Sequence, residues 1–180
     1  MHLSRLEIIG FKSFASRVNL EFGQGISAIV GPNGCGKTNI IDAIRWVLGE
    51  QATKGLRVNT MRDVIFKGTK TRRQLGMAEI SITLVGDELP PQYGSNAKIT
   101  RRITSYGETY YLINDIPVRL KDVHNLLYDT GIGVGSYYHI DQDSIKRILD
   151  SNTFERRALF EEAAGVSKFK RDLHESSLKL

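Results

Sequence analysis

Apolar and polar residues alternate in several short runs. Leu3 to Ile9, in LSRLEII, reads as a strand that runs into a loop. RVNLEF sets Val18, Leu20 and Phe22 against polar neighbours, the pattern of a half-exposed strand, and the two runs form a plausible antiparallel pair. AEISITLVG repeats the pattern with Ile80, Ile82 and Leu84, a strand with one wet face. KITRRITSYGETYYLINDIPV predicts a hairpin that turns near SYGE, with a second turn at Asn114-Asp115. GISAIVG differs: a short, mostly apolar run bounded by glycines, which suits a central strand buried on both faces.

Two stretches follow a helical period. Ile40, Ala43, Ile44, Val47 and Leu48 fall on one helix face, and Gly49 is a natural stop. LKDVHNLLYDTG predicts a short helix ended by Gly131, and GIGVGS a loop. Asn152 can cap a further helix, with Glu155 in the capping-box position. In that helix Leu159, Val166, Leu173 and Leu180 recur every seven residues, but the companion column of Glu162, Phe169 and Ser176 is weak. Up to Ala164 the helix can pack on its own domain. Beyond Gly165 charged residues dominate, and it runs to the last residue without a cap, as a helix that continues would.

Between the apolar run and the first helix lies GPNGCGKT. Gly31, four residues, then Gly36-Lys37-Thr38 satisfy the phosphate-loop pattern, with a strand expected before and a helix after. Glycines let backbone N–H groups turn inward around phosphate oxygens, and the helix N-terminus adds positive partial charge. Lys37 would reach the β- and γ-phosphates, and the Thr38 hydroxyl would ligate magnesium. The competing reading is a chance glycine-rich turn, which the complete pattern in its setting disfavours.

The rest of a hydrolytic site is harder to find. TLVGDE offers Asp87 and Glu88 as a metal carboxylate, but its strand alternates, Gly86 interrupts it and Pro90-Pro91 follow, so these are loop acids. In YYHIDQD the polar His139 breaks the apolar run such a carboxylate needs. His124 and His139 lack metal-ligand spacing, and His124 suits a surface or core position. Cys35 is a small side chain tolerated within the loop.

Composition adds little. The 180 residues are 41% hydrophobic and 25% charged, ordinary for a globular protein. A net charge of +5 is compatible with a polyanion such as DNA, or simply with a solvated surface. The single cysteine excludes an intrachain disulfide. No stretch approaches the roughly 20 apolar residues of a membrane span, and no signal peptide is evident, so a cytoplasmic protein is expected.

GFKSF, AIVGPNGCGKTNIIDAIRWVLGEQ, MRDVIFKG, GETYYLIND, DTGIG and ERRALFEEAAGVSKFK occur together in this order. Over essentially its whole length the chain resembles the N-terminal part of the head of SMC (structural maintenance of chromosomes) ATPases of the ABC class, the bacterial chromosome-condensing type being closest. RecF- and RecN-like repair ATPases would share the start and the phosphate loop. The resemblance implies an α/β fold: an ABC-type P-loop half-head with an antiparallel β subdomain over residues 1–152, and a helix over 153–180 that starts a coiled coil. It implies ATP and Mg2+ as ligands. It implies as partners the C-terminal half-head, a second head in an ATP-dependent homodimer, a kleisin-type subunit and double-stranded DNA. A nucleoid-associated location follows, with no membrane role.

Residue roles follow from the same resemblance. Gly31, Pro32, Asn33, Gly34, Cys35, Gly36, Lys37, Thr38 and Asn39 would hold the triphosphate, with Asn33 near the γ-phosphate. Gln142 falls on the family's Q-loop glutamine and would ligate magnesium and position the attacking water. Lys12 and Ser13 would sit at the edge of the site. Arg57 matches an arginine that reaches the nucleotide when two heads engage. Asp141 and Asp143 flank Gln142 where the family has glycines, and Val58 follows Arg57 where a glycine is usual. A signature motif, a metal carboxylate and a catalytic glutamate, which the family carries in its C-terminal segment, are not found, so the chain alone is expected to be inactive. A small P-loop phosphotransferase and a non-catalytic interaction module are the competing functions. The hairpin-rich region from Ala78 to Val118 suits an acceptor site poorly.

Overall fold

The computed structural model describes residues 1–129 together with residues 157, 173 and 177. The chain divides into two compact units, residues 1–126 and 127–180. The boundary expected near residue 152, the loop GIGVGS and the cap at Asn152 lie outside the described residues, as does Gln142. Of the expected heptad column only Leu173 is described; it is helical and exposed.

Six strands form one antiparallel sheet: β1 (His2–Ile9), β2 (Val18–Glu21), β3 (Met77–Val85), β4 (Asn96–Thr104), β5 (Thr109–Ile113) and β6 (Ile116–Val118), in the order β2-β1-β3-β4-β5-β6. The alternating runs become these strands because each can bury one set of side chains while its backbone pairs with a neighbour. The register aligns Leu6 with Ile82, Ile8 with Ile80, and Ile82 with Ile99, so one face is a continuous apolar layer. The turns fall where the sequence places them, with Asn114 and Asp115 both in left-handed backbone between β5 and β6.

Helix α1 (Lys37–Val47) packs on β3 and β4. Its buried side is rotated from the expected one. Ile40, Ala43 and Val47 are buried as predicted, but Trp46 and Asp42 join them, while Ile44 and Leu48 are only half-buried. Trp46 brings its ring to 5.5 Å from that of Phe11 and donates its indole N–H to the Met61 sulfur. The helix stops at the expected place, and Gly49 has a second reason to be glycine. Its φ is 111°, and a Cβ there would lie 2.4 Å from Nε2 of His124, on α2 (Leu120–Asp129).

Two expectations are revised. The far face of β3 is partly covered rather than wet: Ser81 and Thr100 are buried and share a 2.8 Å hydrogen bond. The run GISAIVG is not a buried central strand. Residues 24–30 belong to no strand, and Ile26 and Val30 are 102% and 87% exposed. A strand buried on both faces needs a neighbour along each edge and a layer over each face. Among the described residues every strand is already paired within the antiparallel sheet, and none pairs with this segment.

Candidate nucleotide-binding site

The loop from Gly31 to Gly36 opens α1. Gly36 is the N-cap residue at φ 98°, and Gly34 turns with φ 80°. A Cβ on Gly36 would meet the Ser13 hydroxyl at 3.1 Å, so the loop and the segment after β1 approach as closely as glycine permits. The contact is fastened by Asn39, whose Nδ2 donates to the Ser13 hydroxyl at 2.8 Å. No acidic side chain lies in the first turn of α1, which leaves the positive end of the helix open to an anion.

Lys37 occupies the first helical position. Its ammonium folds back on its own loop and donates to the Gly31 and Pro32 carbonyls, both at 2.7 Å. Thr38 is exposed on the same turn, and so are Pro32, Asn33 and Cys35. One hydroxyl is a suitable protein donor for magnesium, which keeps several waters and takes the rest of its oxygen ligands from phosphates. The donor set at Thr38 therefore fits the ion.

Beside the loop is a cleft of about 460 Å³ whose wall includes Lys12, Asn39, Arg57, Asp63, Phe66 and Lys67. It is cationic, with three basic side chains against one acid. Lys12 and Arg57 come from different loops and meet on Asp42, the buried acid of α1. Lys12 donates to Asp42 Oδ2 at 2.5 Å and to the Leu56 carbonyl at 2.6 Å, and Arg57 donates to the same Oδ2. At the far wall Asp63 closes a capping box with Thr60 and pairs with Lys67 at 2.7 Å. The Lys67 hydrogen bond, then those from the Thr60 backbone and hydroxyl, hold the Asp63 carboxyl at about 2, below its ordinary 3.8.

The opposite end of α1 is gripped by Arg101 of β4, which is 3% exposed. It donates to the Trp46 and Glu50 carbonyls at 2.7 Å each, and its guanidinium lies 4.5 Å from the Trp46 ring centroid and 5.0 Å from that of Tyr111. Burial pushes its pKa down, and the neighbouring Tyr111 and Glu50 oppose that. A cation on the last carbonyls of a helix favours its macrodipole, so the sheet fixes the helix whose other end carries the loop.

The structure thus gathers Lys12, Ser13, Gly36, Asn39 and Arg57 around the start of α1. Asp87 and Glu88 lie in a turn, as expected; Glu88 pairs with the terminal amine of Met1 at 2.7 Å. Asp42 was not anticipated. Its only sequence signal is its spacing, four residues before Trp46, which puts it on the same side of the helix.

The RecF/RecN/SMC N terminal domain matches residues 2–135. The chain belongs to this family. Within it, the Chromosome partition protein Smc of Bacillus subtilis (strain 168) is 48% identical over 172 residues, covering 94% of this chain but 14% of that protein. The chain thus corresponds to a small part of that relative's length. Among solved structures, one described as structural biochemistry of ATP-driven dimerization and DNA stimulated activation of SMC ATPases matches with a TM-score of 0.81 at 30% identity, over 90% of this chain and 99% of that one. An Smc head bound to the C-winged helix domain of ScpA matches with a TM-score of 0.87 at 30% identity, over 99% of this chain and 56% of that one. The fold is that of the N-terminal half of an ABC-type SMC head. No helix among the described residues is long and apolar enough to cross a membrane.

Proposed function

We propose that the chain is the nucleotide-gripping half of an SMC ATPase head, which binds ATP with magnesium and hydrolyses it only when joined to a C-terminal half-head. The observation that carries this reading is the left-handed glycine turn that opens α1 with Lys37 at its first position, set beside a cationic cleft. Residues 31–39 cradle the triphosphate. Lys37 exchanges the Gly31 and Pro32 carbonyls for β- and γ-phosphate oxygens. Ser13, Lys12 and Arg57 line the approach, and Gln142 orients the attacking water. Bound magnesium, held by Thr38 and Gln142, would neutralise phosphate charge.

The exposed run of residues 24–30 supports completion by another segment, since its apolar side chains and unpaired edges suit strands supplied from elsewhere. ATP-driven pairing of two such heads, with a kleisin-type subunit attached, would entrap double-stranded DNA and serve chromosome condensation and segregation. DNA contact is expected to be sequence-independent and salt-sensitive, because a basic balance without a groove-reading motif addresses phosphates. Titration of a fluorescent ATP analogue into the joined head, followed by turnover, tests the assignment. Lys37→Ala loses affinity and turnover together. Gln142→Ala keeps affinity within about a few-fold and loses turnover, as a contact that strengthens in the transition state does. Normal turnover in Gln142→Ala would contradict its assignment.

A further inference from the structure

We propose that Asp42 is a positioning residue that sets where Lys12 and Arg57 stand in the nucleotide cleft. The inference rests on the reading of that cleft as a nucleotide site. Asp42 is 2% exposed, and a buried carboxylate is unfavourable unless paired. Here one oxygen, Oδ2, receives both cations. The two partners are unusual in a second way. Lys12 and Arg57 both hold left-handed backbone, at φ 48° and 54°, a conformation that side chains rarely adopt and that persists only when the surroundings over-determine it.

Asp42 is the feature the two strained residues share. Lys12 also donates to the carbonyl of Leu56, the residue before Arg57, so the loop after β1 and the loop after α1 are tied to each other as well as to the helix. The anchor sits on α1, three residues after Asn39, which lines the cleft and holds Ser13. The placement of both cations is thereby referred to the same helix that presents the phosphate loop. Arg57 keeps capacity for a ligand. Its side chain is 55% exposed, and the bond to Asp42 uses one nitrogen of a guanidinium that carries five N–H donors. Anchoring an arginine by one arm while the rest faces a cleft lowers the ordering cost of its contact with an anion.

The test is a titration of a fluorescent ATP analogue into the chain joined to its C-terminal half-head, with thermal unfolding followed in parallel. Asp42→Asn and Arg57→Ala should each weaken affinity about tenfold, the worth of one charge-assisted hydrogen bond. The double variant should lose clearly less than the product of the two single losses, because part of the Asp42 effect passes through the Arg57 guanidinium and only the part carried by Lys12 adds to it. Losses that multiply in the double variant would overturn the proposal, since an independent structural defect gives that result. Wild-type affinity in Asp42→Asn would overturn it too. Should Asp42→Asn not fold, Asp42→Glu decides. It keeps the charge but displaces the carboxylate by one methylene, so reduced affinity at unchanged melting temperature supports the proposal and wild-type affinity sinks it. Lys37→Ala separates the two readings: if it binds the analogue normally, the nucleotide assignment itself fails, whatever Asp42 does.

Discussion

The antiparallel sheet and the segment that leads into the phosphate loop are both apolar in sequence, yet they meet opposite fates. Ile80, Ile82 and Ile99 are almost wholly buried, and each strand of the sheet pairs with a neighbour. Ile26 and Val30 face solvent, and their backbone joins no ladder. The sheet finds all its partners between His2 and Val118, through hairpins and one long excursion between β2 and β3 that carries the phosphate loop and α1. The loop segment would need neighbours on both edges, and a row of unpaired backbone groups beside apolar side chains is a template for another chain. The difference separates what this sequence completes by itself from what it leaves to be completed.

The largest effect should come from the joint between the two regions. Arg101→Ala removes two hydrogen bonds from a buried cation to the end of α1 and leaves the Trp46 and Glu50 carbonyls without that donor. A loss of roughly 3 kcal/mol in unfolding free energy is expected by denaturant titration of the joined head. Arg101→Lys should recover part of it, because a lysine can reach a carbonyl but cannot lie flat between two rings. A change within experimental scatter would mean that the sheet does not hold the helix.

Next in size is the contrast itself. Ile26→Asp should leave the sheet's melting transition unmoved, because Ile26 touches no buried layer here. In the joined head the same change should prevent stable association of the halves in a pull-down, since it puts a charge into a position expected to become a buried strand there. Equal association of both proteins would show that the segment stays outside the completed core.

The two regions also differ in how far they could be read from the sequence. Strand alternation gave β1 to β5 because a sheet with one buried face writes its register into every second residue. The phosphate loop was legible because glycine, lysine and threonine at fixed spacing are demanded by backbone geometry and charge. The state of residues 24–30 was not legible, since a continuous apolar run tells what a strand needs and not whether its neighbours are at hand. Asp42 was hidden for a different reason. An acid between Ile41 and Ala43 reads as the polar side of an amphipathic helix, and only the convergence of Lys12 and Arg57 from distant loops turns it into a buried anchor. Arg101 likewise reads as a solvated strand residue until the ring of Trp46 is seen over it.

The smallest expected effect lies at the cleft wall. Asp63 is held at about 2, against 3.8 without its partners. A depressed carboxylate contributes stability that is present above the unfolded value and lost as pH falls from about 3.8 towards 2. A carboxyl titration followed by NMR should place the Asp63 midpoint well below that of an ordinary aspartate, and Lys67→Ala, which removes the largest cause, should raise it. An ordinary midpoint in the unaltered protein would mean that the pair with Lys67 does not form in solution.

This chain is expected to grip nucleotide without hydrolysing it until a C-terminal half-head joins it. Phosphate release from ATP, measured with magnesium for the chain alone, for the chain joined to a C-terminal half-head, and for the joined head carrying Lys37→Ala, tests this most directly. Background release is expected from the chain alone, turnover from the joined head, and loss of that turnover in the Lys37→Ala protein. Magnesium-dependent release from the chain alone that Lys37→Ala abolishes would contradict it.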